Sequence, residues 1–268
     1  MAARLTSPLG SATRALGVRP RHLRRHRLAL SDGAVTTLHV AAYDLRRTVP
    51  RVVRLAGPTP VERWCREHAV AEAIVGGFFV RPAGTPLGEL RTSGIARPAR
   101  PFAAPWSDVR ACLHVVGGDV ALARRDELPA EPAGDLLQAG PLLVRDGMPV
   151  FDRADDREGF SAANGQFDSD ITDGRYPRAA LGVSDTHFYA IAADGRSRHD
   201  AGLTLEELAA YMASLGCHTA LNLDGGGSTT LISRGRLKNH PRKNYEEPEP
   251  GGRPVSTALV FEKTRSGF

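Results

Sequence analysis

Apolar residues recur along this chain in short runs broken by Gly, Pro, Asp and Ser. Around Leu38, Val40 and Ala42 they follow the two-residue period of a strand. The pattern predicts a hairpin from Leu28 to Leu45, turning at Ser31-Asp32-Gly33. Val70 to Val80 reads as an apolar strand running into Gly76-Gly77. Further strands are predicted near 110–116, 119–123 and 141–144, with turns at Gly117-Gly118-Asp119 and Arg145-Asp146-Gly147. Two stretches lack periodicity: 81–108, rich in Pro, Gly, Arg and Ser, and the acidic 152–177. Within the second, Asp168 to Gly174 has the carboxylates of a calcium loop at the wrong spacing for an EF-hand, and Ala179 stands where the closing glutamate belongs.

The period changes to that of a helix twice. Thr59-Pro60-Val61-Glu62 reads as a capped helix start, with the helix continuing through Trp64 to about His68. Thr204 to Glu207 is a second capping box, after which Leu205, Leu208, Ala209, Met212 and Leu215 mark one face and Gly216 the stop. A strand at His187–Ala193 precedes this helix, and the next strand carries the Asn222–Asp224 pair. The fold class expected is therefore α+β: a mixed sheet with packed helices, in one domain over 28–268, behind a basic leader over 1–27.

The densest chemical signal is Asn222-Leu223-Asp224-Gly225-Gly226-Gly227-Ser228-Thr229. In a strand, Leu221 and Leu223 share one face, and Asn222 and Asp224 the other. Three glycines let a ligand approach bare backbone N–H groups, which suits an anion. A tight turn needs only one glycine, so a ligand loop is the better reading.

This segment resembles the hallmark of the phosphodiester glycosidases. The likeness continues through Arg178-Ala179-Ala180-Leu181-Gly182, Ala193-Asp194-Gly195-Arg196, Gly202 to Ala209 and Arg253 to Thr257, and more loosely through Gly76-Gly77-Phe78-Phe79, Pro86-Leu87-Gly88 and Ala139 to Leu143. It implies hydrolysis of the glycosidic bond of a sugar-1-phosphodiester, in carbohydrate metabolism of the exopolysaccharide kind. The partner implied is a small-molecule or oligosaccharide phosphodiester. Such chemistry needs a carboxylate near the anomeric centre and cations or N–H donors for the phosphate, and guanidinium groups bind phosphate through paired hydrogen bonds. On this basis Asp224 is the expected central carboxylate and Asp194 a second acid/base or sugar-orienting group. Arg178, Arg253, Gly225, Gly226, Gly227, Ser228 and Thr229 are expected on the phosphate side. Asn222 orients Asp224 or holds a sugar hydroxyl, and Gly76 and Gly77 border the substrate. Arg196 reads as a surface arginine. One departure is Val75, where the family commonly has Asn; Glu72 is a candidate substitute. A rival reading, a binding module that keeps the pocket without turnover, follows from that departure.

Charge narrows the partners. The formal net charge is +5, but residues 1–30 hold seven arginines and no acid, leaving −2 for the rest. The leader is expected to be a poorly ordered, solvated basic extension, and the body gives no electrostatic case for nucleic acid. No apolar run suits a membrane span, and the expected location is cytoplasmic. Cys65, Cys112 and Cys217 are odd in number and widely spaced, so free buried thiols are expected. No metal-ligand spacing is visible, and the sequence leaves both cofactors and oligomeric state open.

Overall fold

The computed structural model describes residues 22–162 and 171–264. Within them two α-helices stand against twenty-one strands, and every ladder between strands is antiparallel. The expected α+β fold with a mixed sheet is thus incorrect: the protein is β-rich, built from curled antiparallel sheets. Two features account for the difference. The stretch 81–108 contains strands at Thr85–Pro86, Leu90–Thr92 and Ile95–Ala96 whose residues carry no regular alternation. The strand–helix–strand unit in the last third is also not repeated elsewhere.

The largest sheet has seven strands, in the spatial order Leu23–Ala29, Val35–Asp44, His187–Ala193, Arg178–Val183, Thr219–Asn222, Leu142–Arg145, Met148–Pro149. The predicted hairpin forms its first pair, with Gly33 at φ 85° and Asp32 accepting the Ala34 N–H. Of the expected leader, residues 1–21 lie outside those described, while 23–27 belong to this edge strand.

One face of the sheet, including Ala41, Tyr43, Leu181 and Leu221, packs against Ile74, Val255 and Leu259 of a five-stranded sheet and Leu113 and Leu137 of another. The opposite face, including Leu38, Val40, Ala180, Ile191 and Ala220, packs on Leu205, Leu208, Ala209 and Met212 of the helix Leu205–Ser214. Val35–Asp44 is therefore buried on both sides, which explains why Thr37, His39 and Ala41 are as hidden as the alternate residues. That helix starts as predicted, with Thr204 and Glu207 exchanging side-chain and backbone bonds. The first helix, Val61–Glu67, does not use the expected cap. Thr59 ends a strand and donates to the Gly57 carbonyl, leaving Pro60 at the cap position. All three cysteines are free and buried. Among the described residues no helix is long and apolar enough to cross a membrane.

Candidate active site

His187–Ala193 and Thr219–Asn222 both pair antiparallel with Arg178–Val183 between them. They therefore run parallel to each other, and Asp194 and Asp224 emerge at the same edge, beside the start of the Arg178 strand. The strand–helix–strand unit achieves this without a parallel ladder.

Asp224 sits at the centre of the glycine loop. Its amide donates to Gly76 O, and its Oδ1 accepts the Gly225 N–H. Its Oδ2, and the Ser228 Oγ that faces the carboxyl, are buried without a well-formed hydrogen bond among the described residues, as are Asn222 Oδ1 and Thr229 Oγ1. Native proteins leave few buried polar atoms unpaired, and four within eight residues call for an explanation. Burial raises the Asp224 pKa from 3.8 to about 6, against the opposing effects of the nearby Ser228 hydroxyl, the Arg253 charge, the Gly225 N–H and the Arg81 charge. Arg253 lies over the loop, with Nη2 3.1 Å from where a Cβ on Gly227 would stand. Its backbone N–H donates to Gly227 O, and no hydrogen bond among the described residues occupies its guanidinium.

The glycines serve close approach. A Cβ on Gly225 would meet Pro177 O at 2.9 Å, and Gly226 adopts φ 60°. The expected cradle of free amides is largely spent within the protein, however. Gly225 N bonds Asp224, Gly226 N bonds Pro177 O, and Ser228 N and Thr229 N close a single 3₁₀ turn. Gly76 and Gly77 are likewise committed, to Thr257 and to the Asp224 amide. Side chains rather than backbone amides are therefore what this loop offers a ligand. Asn222 Nδ2 is used on Gly140 O, so Asn222 presents only its carbonyl oxygen.

Two expected site residues play different parts. Arg178 is 3 % exposed, and its Nε, Nη1 and Nη2 donate to Leu203 O, Ile171 O and Gly174 O. It is a clamp on the loop preceding its strand. Asp194 is buried: Oδ2 meets His39 Nε2 and His240 Nδ1 at 3.0 Å each, and Oδ1 accepts the His240 N–H at 2.7 Å. Burial works against its charge, but the bonds from the two histidines prevail and hold the pKa below 3.8. It is an ionised anchor, unsuited to donating a proton. Arg196, expected at the surface, bridges: its guanidinium donates to Arg242 O and Lys243 O, and lies against Gly226 and over Tyr176. Glu72 is engaged by Tyr43, by His22 and by the Arg234 N–H, and so does not stand in for the side chain absent at Val75. Of the acidic loop, 163–170 lies outside the described residues, including Asp168 and Asp170 of the calcium-like run.

His39, His240 and Arg81 were not legible as site residues. None belongs to a spacing motif, and each reaches the site from a separate element.

Comparisons with known proteins bear on this geometry. Residues 68–262 match the family model described as phosphodiester glycosidase. A prophage-derived uncharacterized protein of Bacillus subtilis, YomE, is 37 % identical over 67 residues, covering 25 % of this chain and 10 % of its own length. The catalytic domain of zebrafish N-acetylglucosamine-1-phosphodiester alpha-N-acetylglucosaminidase, auto-inhibited by its pro-peptide, superposes with a TM-score of 0.67 at 19 % identity, over 92 % of this chain and 85 % of that one. A hypothetical protein from Synechocystis gives 0.62 at 19 % identity, over 89 % of this chain and 61 % of its own. The chain thus spans about a tenth of the curated relative and under two thirds of the Synechocystis protein.

Proposed function

The chain belongs to the phosphodiester glycosidase family, and from that premise we propose that it hydrolyses the glycosidic bond of a sugar-1-phosphodiester. The observation supporting this reading is the raised carboxyl of Asp224 among unpartnered polar atoms, faced by the charges of Arg253 and Arg81. A phosphodiester leaving group is already a stable anion, so it needs charge neutralisation more than protonation. Arg253 and Arg81 supply that positive charge. Asp224 acts at the anomeric side, on the sugar carbon or on the attacking water. Asn222, Ser228 and Thr229 hold sugar or phosphate oxygens. Asp194 acts at a distance, by fixing His39 and His240.

The test is release of free sugar from a panel of sugar-1-phosphodiesters by the wild type and by Asp224→Asn. The expected result is turnover by the wild type alone, with ligand binding retained in the variant. Binding without turnover by the wild type would replace hydrolysis with the binding-module reading, and equal turnover by both would remove Asp224 from the chemistry.

A further inference from the structure

Among the described residues, His39, Asp194 and His240 form a group of side chains that could hold a metal ion. These residues come from three elements: the strand Val35–Asp44, the end of His187–Ala193, and the segment after Arg236–Leu237. Their donor atoms all lie within 4.8 Å of one another. We propose that this cluster is a binding site for a divalent transition-metal ion of the zinc class.

The arrangement of the carboxylate carries the inference. A carboxylate that merely neutralises two imidazoles can offer one oxygen to each. Here Asp194 Oδ1 is taken by the backbone N–H of His240, and both ring nitrogens converge on Oδ2. One oxygen is thus fixed by an outer hydrogen bond while the other faces two nitrogen ligands, the disposition that orients a metal-binding carboxylate. The separations from the carboxylate fit as well. Zinc bonds of about 2.0–2.1 Å at tetrahedral angles put neighbouring donors about 3.3 Å apart, and Oδ2 stands 3.0 Å from each imidazole nitrogen. Two imidazoles and one carboxylate select a borderline ion such as Zn²⁺ over Ca²⁺ or Mg²⁺, which prefer all-oxygen sets.

Access is provided from one side. The His39 and Asp194 side chains are 5 % and 3 % exposed, whereas that of His240 is 67 % exposed. An ion can enter past His240 and keep a position open to solvent, as a three-ligand site does. The site adjoins the glycine loop without being part of it. Asn239, next to His240, clasps Thr229 O and the Leu231 N–H, and Arg196, two residues after Asp194, lies against Gly226. A bound ion would brace the wall on which that loop rests.

The experiment needs no knowledge of the substrate. The full-length protein, stripped with chelator, is titrated with Zn²⁺ by calorimetry and melted with and without the ion. One saturating equivalent and a raised melting temperature are expected. In His240→Ala, which removes an exposed ligand and spares the core, affinity should fall on the order of 100-fold. Absence of saturable binding overturns the proposal. So does binding of undiminished affinity in His240→Ala, which would place the ion elsewhere. Neither outcome depends on whether the protein turns over a phosphodiester.

Discussion

Replacing Asp224 with Asn should make the protein more stable at neutral pH while removing its proposed activity. The carboxyl titrates at about 6 in the folded protein against 3.8 when unperturbed. Two pK units correspond to about 3 kcal/mol. The sign follows from proton binding. Between pH 3.8 and 6 the folded state holds a proton that the unfolded chain has released, so stability falls as pH rises through this window. Below it both states are protonated and nothing is lost; above it the full cost of an ionised buried carboxylate is present. Asn carries no charge and keeps an oxygen for the Gly225 N–H. Its amide group can donate to the Ser228 hydroxyl, which faces the carboxyl in the wild type. Thermal melts at pH 7.5 and pH 4 should therefore show Asp224→Asn above the wild type by up to about 3 kcal/mol, roughly 6 °C or more for a domain of this size, with the gap closing at the acidic end. Glu158, buried and raised to about 7, also titrates in this range, but it is common to both proteins and cancels in the difference. A variant that melts lower than wild type at pH 7.5, or a gap that does not change with pH, would refute the account of Asp224 as a strained, desolvated carboxylate.

Two further substitutions separate binding from framework. Gly227→Ala sets a methyl against the Arg253 guanidinium at 3.1–3.3 Å, at a position whose backbone tolerates it; kinetics should show a raised KM with the melting temperature nearly unchanged, and an unaltered KM would take Arg253 away from the substrate. Arg178→Ala removes three bonds to carbonyls, each charge-assisted and worth about 1.5 kcal/mol or more. Denaturant unfolding should show a loss of roughly 3 kcal/mol or more, whereas a selective loss of phosphodiester binding at wild-type stability would return Arg178 to the phosphate.

The elements that were legible share a local cause. The Thr204 capping box, the Asp32-Gly33 turn and the strand His187–Ala193 are each specified within a few neighbouring residues, and each forms as the pattern indicates. The glycine loop was legible too, because three glycines behind Asn222 and Asp224 have little use in an ordinary turn. What failed had a distant cause. Thr59 loses its cap role because Thr48–Thr59 is held along its length by Val255–Lys263, two hundred residues on. The strand Leu90–Thr92 enters a five-stranded sheet through Asp135–Gln138, more than forty residues on.

The same division runs through the site. The sequence by itself determined the family, through motifs spread from Gly76 to Thr257, and the glycine loop behind Asn222 and Asp224, which one contiguous segment carries. Only the tertiary structure decided what the outlying residues do. Arg178 was expected on the phosphate side and Asp194 as a second acid/base or sugar-orienting group, yet three carbonyls occupy one and two histidines the other. His39 and His240 lie 155 and 46 residues from Asp194, and no local pattern records that they meet. Side-chain chemistry is written in the sequence, but whether a charge is free or spent depends on partners that chain folding brings from elsewhere.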